Sequence, residues 1–157
     1  MDNRDISFLR TAIDIARLAR EHGNHPFGAI LVDGTGLELF RVENTVTTSR
    51  DVTCHAETNL VRLAVRDVTP DQLSTCTLYC STEPCAMCAG AIHWSRIGRV
   101  VFALGVNDLI DIVGPSPEHL LLPCREVFSH SAQPVQVEGP CLELDREARA
   151  VHTGFWR

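Results

Sequence analysis

Between Asp5 and Glu21, the residues Ile6, Leu9, Ile13, Ala16 and Ala19 fall mostly three or four positions apart, which lays them along one face of a helix, and Gly23 closes the pattern. Residues 27–32 form a short unbroken apolar run that ends at Asp33-Gly34-Thr35-Gly36, and a second run occupies 37–42. This pair predicts two antiparallel strands joined by a turn. A second helix is predicted over 55–66 with Leu60, Leu63 and Ala64 inward, and a strand over 77–81 leads straight into Pro84. A third helix carries Cys85, Cys88 and Trp94, and another strand follows over 100–104. Helix, strand, helix, strand in that order implies parallel neighbours with helices covering the sheet. Beyond Gly105 the pattern weakens. Gly114-Pro115-Ser116-Pro117 interrupts any element, so 107–123 is predicted to be irregular with room for one helical turn. A fifth strand is predicted over 135–137 and a last helix over 142–151, ending near Gly154. The expected architecture is a three-layer α/β/α sandwich on a mixed five-stranded sheet, one domain across residues 1–157.

Composition narrows the setting. No apolar run reaches transmembrane length, and Asp2, Arg4 and Asp5 open the chain in place of a basic-then-apolar leader, so a cytoplasmic, reducing environment is expected. Seven cysteines, an odd number, then fit metal ligation and buried thiols better than a disulfide framework. The net charge of −6 lacks the basic excess of a protein that grips a phosphate backbone, which weighs against tRNA or DNA as substrate. All 14 basic residues are arginine, which excludes a pyridoxal Schiff base, a P-loop lysine and a lysine nucleophile.

Two short stretches carry the candidate chemistry. Cys54-His55-Ala56-Glu57 offers an imidazole with a carboxylate two residues on, and Pro84-Cys85-Ala86-Met87-Cys88 offers two thiols three residues apart. At the start of a helix that spacing puts both sulfurs on one face, within reach of a single ion about 2.3 Å away. Pro84 suits such a start, and the unpaired N–H groups there favour the thiolate that zinc binds. With His55 as third ligand the metal keeps an open corner for water, which marks a catalytic site rather than a structural one. Glu57 would then serve as the acid/base beside that water. A structural zinc completed by Cys54 or Cys80 is the competing reading; it would leave Glu57 no water to act on.

The H-x-E and P-C-x-x-C stretches resemble the cytidine deaminase superfamily, in which the Glu is not a ligand. Residues 88–97, Cys88-Ala89-Gly90-Ala91-Ile92-His93-Trp94-Ser95-Arg96-Ile97, are similar to the zinc-binding helix of its guanine and nucleobase deaminase branch, and His25-Pro26-Phe27-Gly28-Ala29-Ile30 is similar to that branch's first strand. The likeness runs from about residue 6 to residue 106 and is loose beyond. It implies a Zn2+ enzyme that displaces ammonia from an amino-substituted heterocycle such as guanine, cytosine, isocytosine or an aminotriazine. It also implies that Asn44 hydrogen-bonds the ring and that Phe27 and Trp94 flank it, although core packing competes for both aromatics. In guanine deaminase relatives the C-terminal segment crosses to a partner subunit and an acidic residue from that region joins the site. A homodimer is therefore expected, with Glu143 as candidate, Asp108 and Asp111 behind it, and Phe155 and Trp156 packed on the partner or capping its pocket. The alternatives are a guanosine-type nucleoside deaminase, a tRNA adenosine deaminase, or a catalytically idle zinc-binding interaction protein on the same fold.

Overall fold

A computed structural model describes residues 1–117 and 119–156. Its strands are β1 (Gly28–Val32), β2 (Glu38–Glu43), β3 (Thr77–Thr82), β4 (Arg99–Leu104) and β5 (Gln136–Glu138), and they lie in the order β2-β1-β3-β4-β5. β1 runs antiparallel to both β2 and β3, whereas β3, β4 and β5 are mutually parallel, so the sheet is mixed as predicted. Successive side chains of a strand point to opposite faces. Ala29, Leu31, Leu78, Cys80, Val100 and Phe102 therefore face one layer, and Ile30, Val32, Tyr79, Val101 and Ala103 face the other. Both faces are apolar, which is why these strands read as continuous runs rather than alternating ones.

Helices cover both faces. In chain order they are α1 (Asn3–Glu21), α2 (Val46–Ser49), α3 (Ala56–Asp67), α4 (Pro70–Leu73), α5 (Ala86–Ser95), α6 (Val106–Val113), α7 (Cys124–Ser129) and α8 (Asp145–Ala150). The stripe Leu9, Ile13 and Ala16 of α1 packs on one face together with Leu144 and Ala148. On the other face lie Ala56, Leu60 and Ala64 of α3, Ala89 and Ile92 of α5, and Cys124 and Phe128 of α7. A Cβ at Gly28 would collide with the backbone of Ala12 and Ala16, so glycine there lets α1 lie directly on β1. The buried Asp5 then ties α1 across the sheet. Its carboxylate accepts from Tyr79 Oη at 2.7 Å and from both terminal nitrogens of Arg99 at 2.9 Å. Burial alone would raise this carboxyl; the Arg99 and Tyr79 bonds outweigh it and hold the group well below the usual carboxylate range.

The C-terminal third departs from the sequence reading. The stretch predicted to be irregular holds the two-turn helix α6, and α7 forms just after Pro123. Val106, Leu109, Ile110 and Val113 supply a 3-1-3 apolar stripe to α6, and Gly114, in a positive-φ conformation, ends it. The last predicted helix begins instead as a 3-10 turn over Leu142–Leu144 and becomes α-helical only over Asp145–Ala150.

Candidate active site and metal centre

His55 and Cys85 are the N-cap residues of α3 and α5, two helices that lie against each other. The sequence reading put Pro84 inside the helix start; it stands one residue outside, and the extended backbone of Cys85 opens α5. Cys85 Sγ is 3.6 Å from both His55 Nδ1 and Cys88 Sγ, and Cys88 Sγ is 3.5 Å from His55 Nδ1. Ligands around a tetrahedral zinc with bonds of about 2.0–2.3 Å stand roughly 3.5–3.8 Å apart, so this donor triangle fits zinc. Glu57, in the first turn of α3, is almost fully buried, with Oε2 at 3.5 Å from Cys88 Sγ. Burial raises its carboxyl above the ordinary range. Hydrogen bonding from Cys88 and His55 pushes the Cys85 thiol down to about 4, whereas its bond to Cys85 and its own burial push the deeper Cys88 up.

These groups form the polar end of a cavity of about 270 Å³. Thr82 and Glu83 complete that end; Phe27, the apolar stripe of α6 and the stretch His119, Leu120 and Leu121 wall the rest. Glu83 was not singled out from sequence, because an acid between a strand and a proline reads as ordinary loop. Its carboxylate accepts from the backbone N–H of Val106 at 3.0 Å and of Cys124 at 2.9 Å, so one side chain caps the starts of α6 and α7 together. Asn44 lies behind Phe27: its N–H donates to the Phe27 carbonyl at 3.0 Å, and its Oδ1 accepts from Val46 N at 3.0 Å. Asn44 Nδ2 is the one buried side-chain nitrogen or oxygen without a partner among the described residues.

Residues 2–104, with both stretches inside them, match the family model of the cytidine and deoxycytidylate deaminase zinc-binding region. The chain belongs to that deaminase family. The deaminase is similar along nearly its whole length to a probable cytosine deaminase of Schizosaccharomyces pombe, at 42% identity over 99% of this chain and 94% of the relative. It is 42% identical to guanine deaminase of Bacillus subtilis over 65% of each chain. A solved structure from studies of A-to-I editing by tRNA:A34 deaminases superposes with a TM-score of 0.72 at 30% identity, covering 93% of this chain and 99% of that one. As a member of this family the deaminase is an enzyme, a hydrolase acting on C–N bonds.

Four sequence-derived candidates lie away from the deaminase cavity. Trp94 is 83% exposed on the outer side of α5, because Cys88, Ile92 and Ser95 define the inward face and residue 94 is rotated away from it. Glu143 is exposed beside α1, where it pairs with Arg10 at 3.5 Å. Asp108 pairs with Arg149 at 2.7 Å, and Asp111 points to solvent. The C-terminal aromatics pack on their own chain. Phe155 and Trp156 contact His25, and Trp156 also meets Phe27 at a ring separation of 6.0 Å.

Trp156 Nε1 donates to His152 Nδ1 at 3.2 Å, which leaves Nε2 to carry the proton toward Thr82 Oγ1, 3.4 Å away. His152 thus backs both Thr82 and Phe27 of the deaminase cavity. Burial, with the Arg20 charge adding to it, lowers this imidazole to about 4. The neutral ring is fully accommodated above its unfolded value of about 6.5, and as pH falls from there toward 4 the unfolded chain binds the proton first. Stability should drop by on the order of 2 kcal/mol across that window. Thermal melts of wild type and His152→Gln from pH 7.5 to 4.5 check this; equal acid slopes would refute the assignment.

Proposed function

We propose that the enzyme is a zinc-dependent hydrolytic deaminase of a free nucleobase or related amino-heterocycle, with guanine, cytosine, isocytosine and aminotriazines as the candidate class. The observation that carries this reading is the 3.5–3.6 Å His55-Cys85-Cys88 triangle with the Glu57 carboxylate against it at the polar end of a small cavity. Zinc held by those three donors would supply Lewis acidity and a water nucleophilic at neutral pH. Glu57 accepts the proton of the attacking water and delivers it to a ring nitrogen, which makes the amino-bearing carbon electrophilic. It then carries the second proton to the leaving nitrogen, so that water and the amino compound become ammonia and an oxo ring. The unpaired Asn44 Nδ2 supports its role as a donor to a ring acceptor, since a buried N–H without a partner costs about 1–3 kcal/mol. Phe27 stacks on the flat ring.

A cavity just below the roughly 300–1,000 Å³ range of small-molecule sites supports a free base over a polynucleotide, as does the net charge of −6. The full-length likeness to a probable cytosine deaminase and the likeness to a guanine deaminase support it too. The second reading, a tRNA adenosine deaminase, draws on the A34 deaminase structure. We read the chain as a single catalytic domain. Exposed Trp94 and Met87 on α5, with open space at Gly90 between them, support a homodimer through that face. Seven free thiols, and the absence among the described residues of any helix long and apolar enough to cross a membrane, support a cytoplasmic enzyme.

The deciding experiment measures ammonia release from guanine, cytosine, isocytosine, an aminotriazine, the matching nucleosides and an adenosine-bearing anticodon stem-loop, with bound zinc and sedimentation mass determined on the same preparation. Release from a free base is expected. Turnover of the stem-loop alone would replace this reading with the second, and a metal-loaded protein that releases ammonia from nothing would be the idle binding protein.

A further inference from the structure

The apolar wall of the cavity is built in an unusual way. Val106, Leu109, Ile110 and Val113 form one stripe of α6, and such a stripe ordinarily disappears into a core. Here no residue of α6 is fully buried; Leu109 touches the core at its edge, and the stripe fronts the cavity, joined by His119, Leu120 and Leu121 from the segment that follows. The placement is held, since the Glu83 carboxylate at the reacting end caps α6 through Val106 N at 3.0 Å and α7 through Cys124 N at 2.9 Å. One cavity thus joins a set of polar and ionisable groups to a side of six aliphatic residues, where His119 beside Leu120 is the single lining side chain able to form a hydrogen bond.

From this arrangement, and resting on the deaminase reading above, we propose that the substrate heterocycle carries an apolar substituent that lies along α6, rather than a sugar. A ribosyl group carries several hydroxyls and would meet one imidazole, His119, amid aliphatic carbon, so most of its hydroxyls would be buried unpaired, which is costly, whereas an alkyl chain gains from each methylene taken out of water. The alkyl gain is about threefold to fourfold in affinity per buried methylene. The positioning residue for this wall is Glu83.

The test uses the zinc-loaded enzyme with cytosine and guanine, each bare and with methyl, propyl or ribosyl at the nitrogen that bears sugar in the nucleoside. Calorimetric Kd and kcat/KM for ammonia release are both read. The propyl derivatives should bind at least tenfold more tightly than the ribosyl ones and no worse than the bare base. In Val113→Thr, which keeps the side chain's shape and adds a hydroxyl to the wall, the propyl-to-ribosyl ratio should shrink at least threefold. Ribosyl binding equal to or tighter than propyl, or no measurable propyl binding, overturns the proposal. Preferential propyl binding with no ammonia from any member would instead overturn the deaminase reading and leave the apolar wall standing.

Discussion

Glu57→Gln is expected to bind a full equivalent of zinc, to melt within a few degrees of wild type and to lose at least a thousandfold in kcat for ammonia release. Glutamine fills the same volume in a site where Glu57 is 6% exposed, so the packing around it persists. The three donors at 3.5–3.6 Å do not include the carboxylate, so the metal should remain. What is lost is the only function an amide cannot perform, taking up a proton and giving it back. General acid/base groups contribute about 10²–10⁴-fold, and here one side chain serves both proton transfers, which sets the expected loss in the upper part of that range. Metal analysis alongside turnover checks the claim; a wild-type rate in the Gln variant would mean that the roles are wrongly assigned.

Cys85→Ala should fail differently, losing both metal and turnover. Removing one sulfur leaves two donors, too few to hold the ion against competing chelators, and the buried Cys88 thiol then loses its 3.6 Å partner. Because an ion that binds only the folded chain adds stability by mass action, the variant should melt several degrees lower than wild type, and wild type treated with chelator should fall to about the same temperature. Zinc content by elemental analysis, read against both melts, separates this from a packing defect. A variant that keeps stoichiometric zinc would show that a fourth side chain completes the sphere.

The sheet was legible because its three central strands are buried on both faces. Residues 28–32 and 100–104 are apolar runs with no alternation, which only a covered sheet tolerates, and the Cys85–Cys88 spacing announces both a helix start and a shared ligand. The α6 stripe was equally present at 106, 109, 110 and 113. Two turns are marginal in isolation, however, and the helix is secured by Glu83 from a distant strand end, a long-range cap that no local pattern reveals. Trp94 and Glu143 stand outside the cavity for the converse reason. Their residue types suit ring stacking and proton chemistry, but the rotation of α5 and the Arg10 partner on α1 decide where they stand, and both are tertiary facts.

The chain's two tryptophans stand in opposite surroundings, Trp94 in solvent on α5 and Trp156 stacked at 18° on the His152 ring behind Phe27. The protein therefore carries two built-in optical reporters with separable emission. Association through α5 would shift the red-emitting indole to the blue, while acid protonation of the imidazole would remove the acceptor of the Trp156 N–H and quench the other. A single emission spectrum, followed by dilution and then by acidification, can read assembly and the integrity of the cavity's rear wall independently.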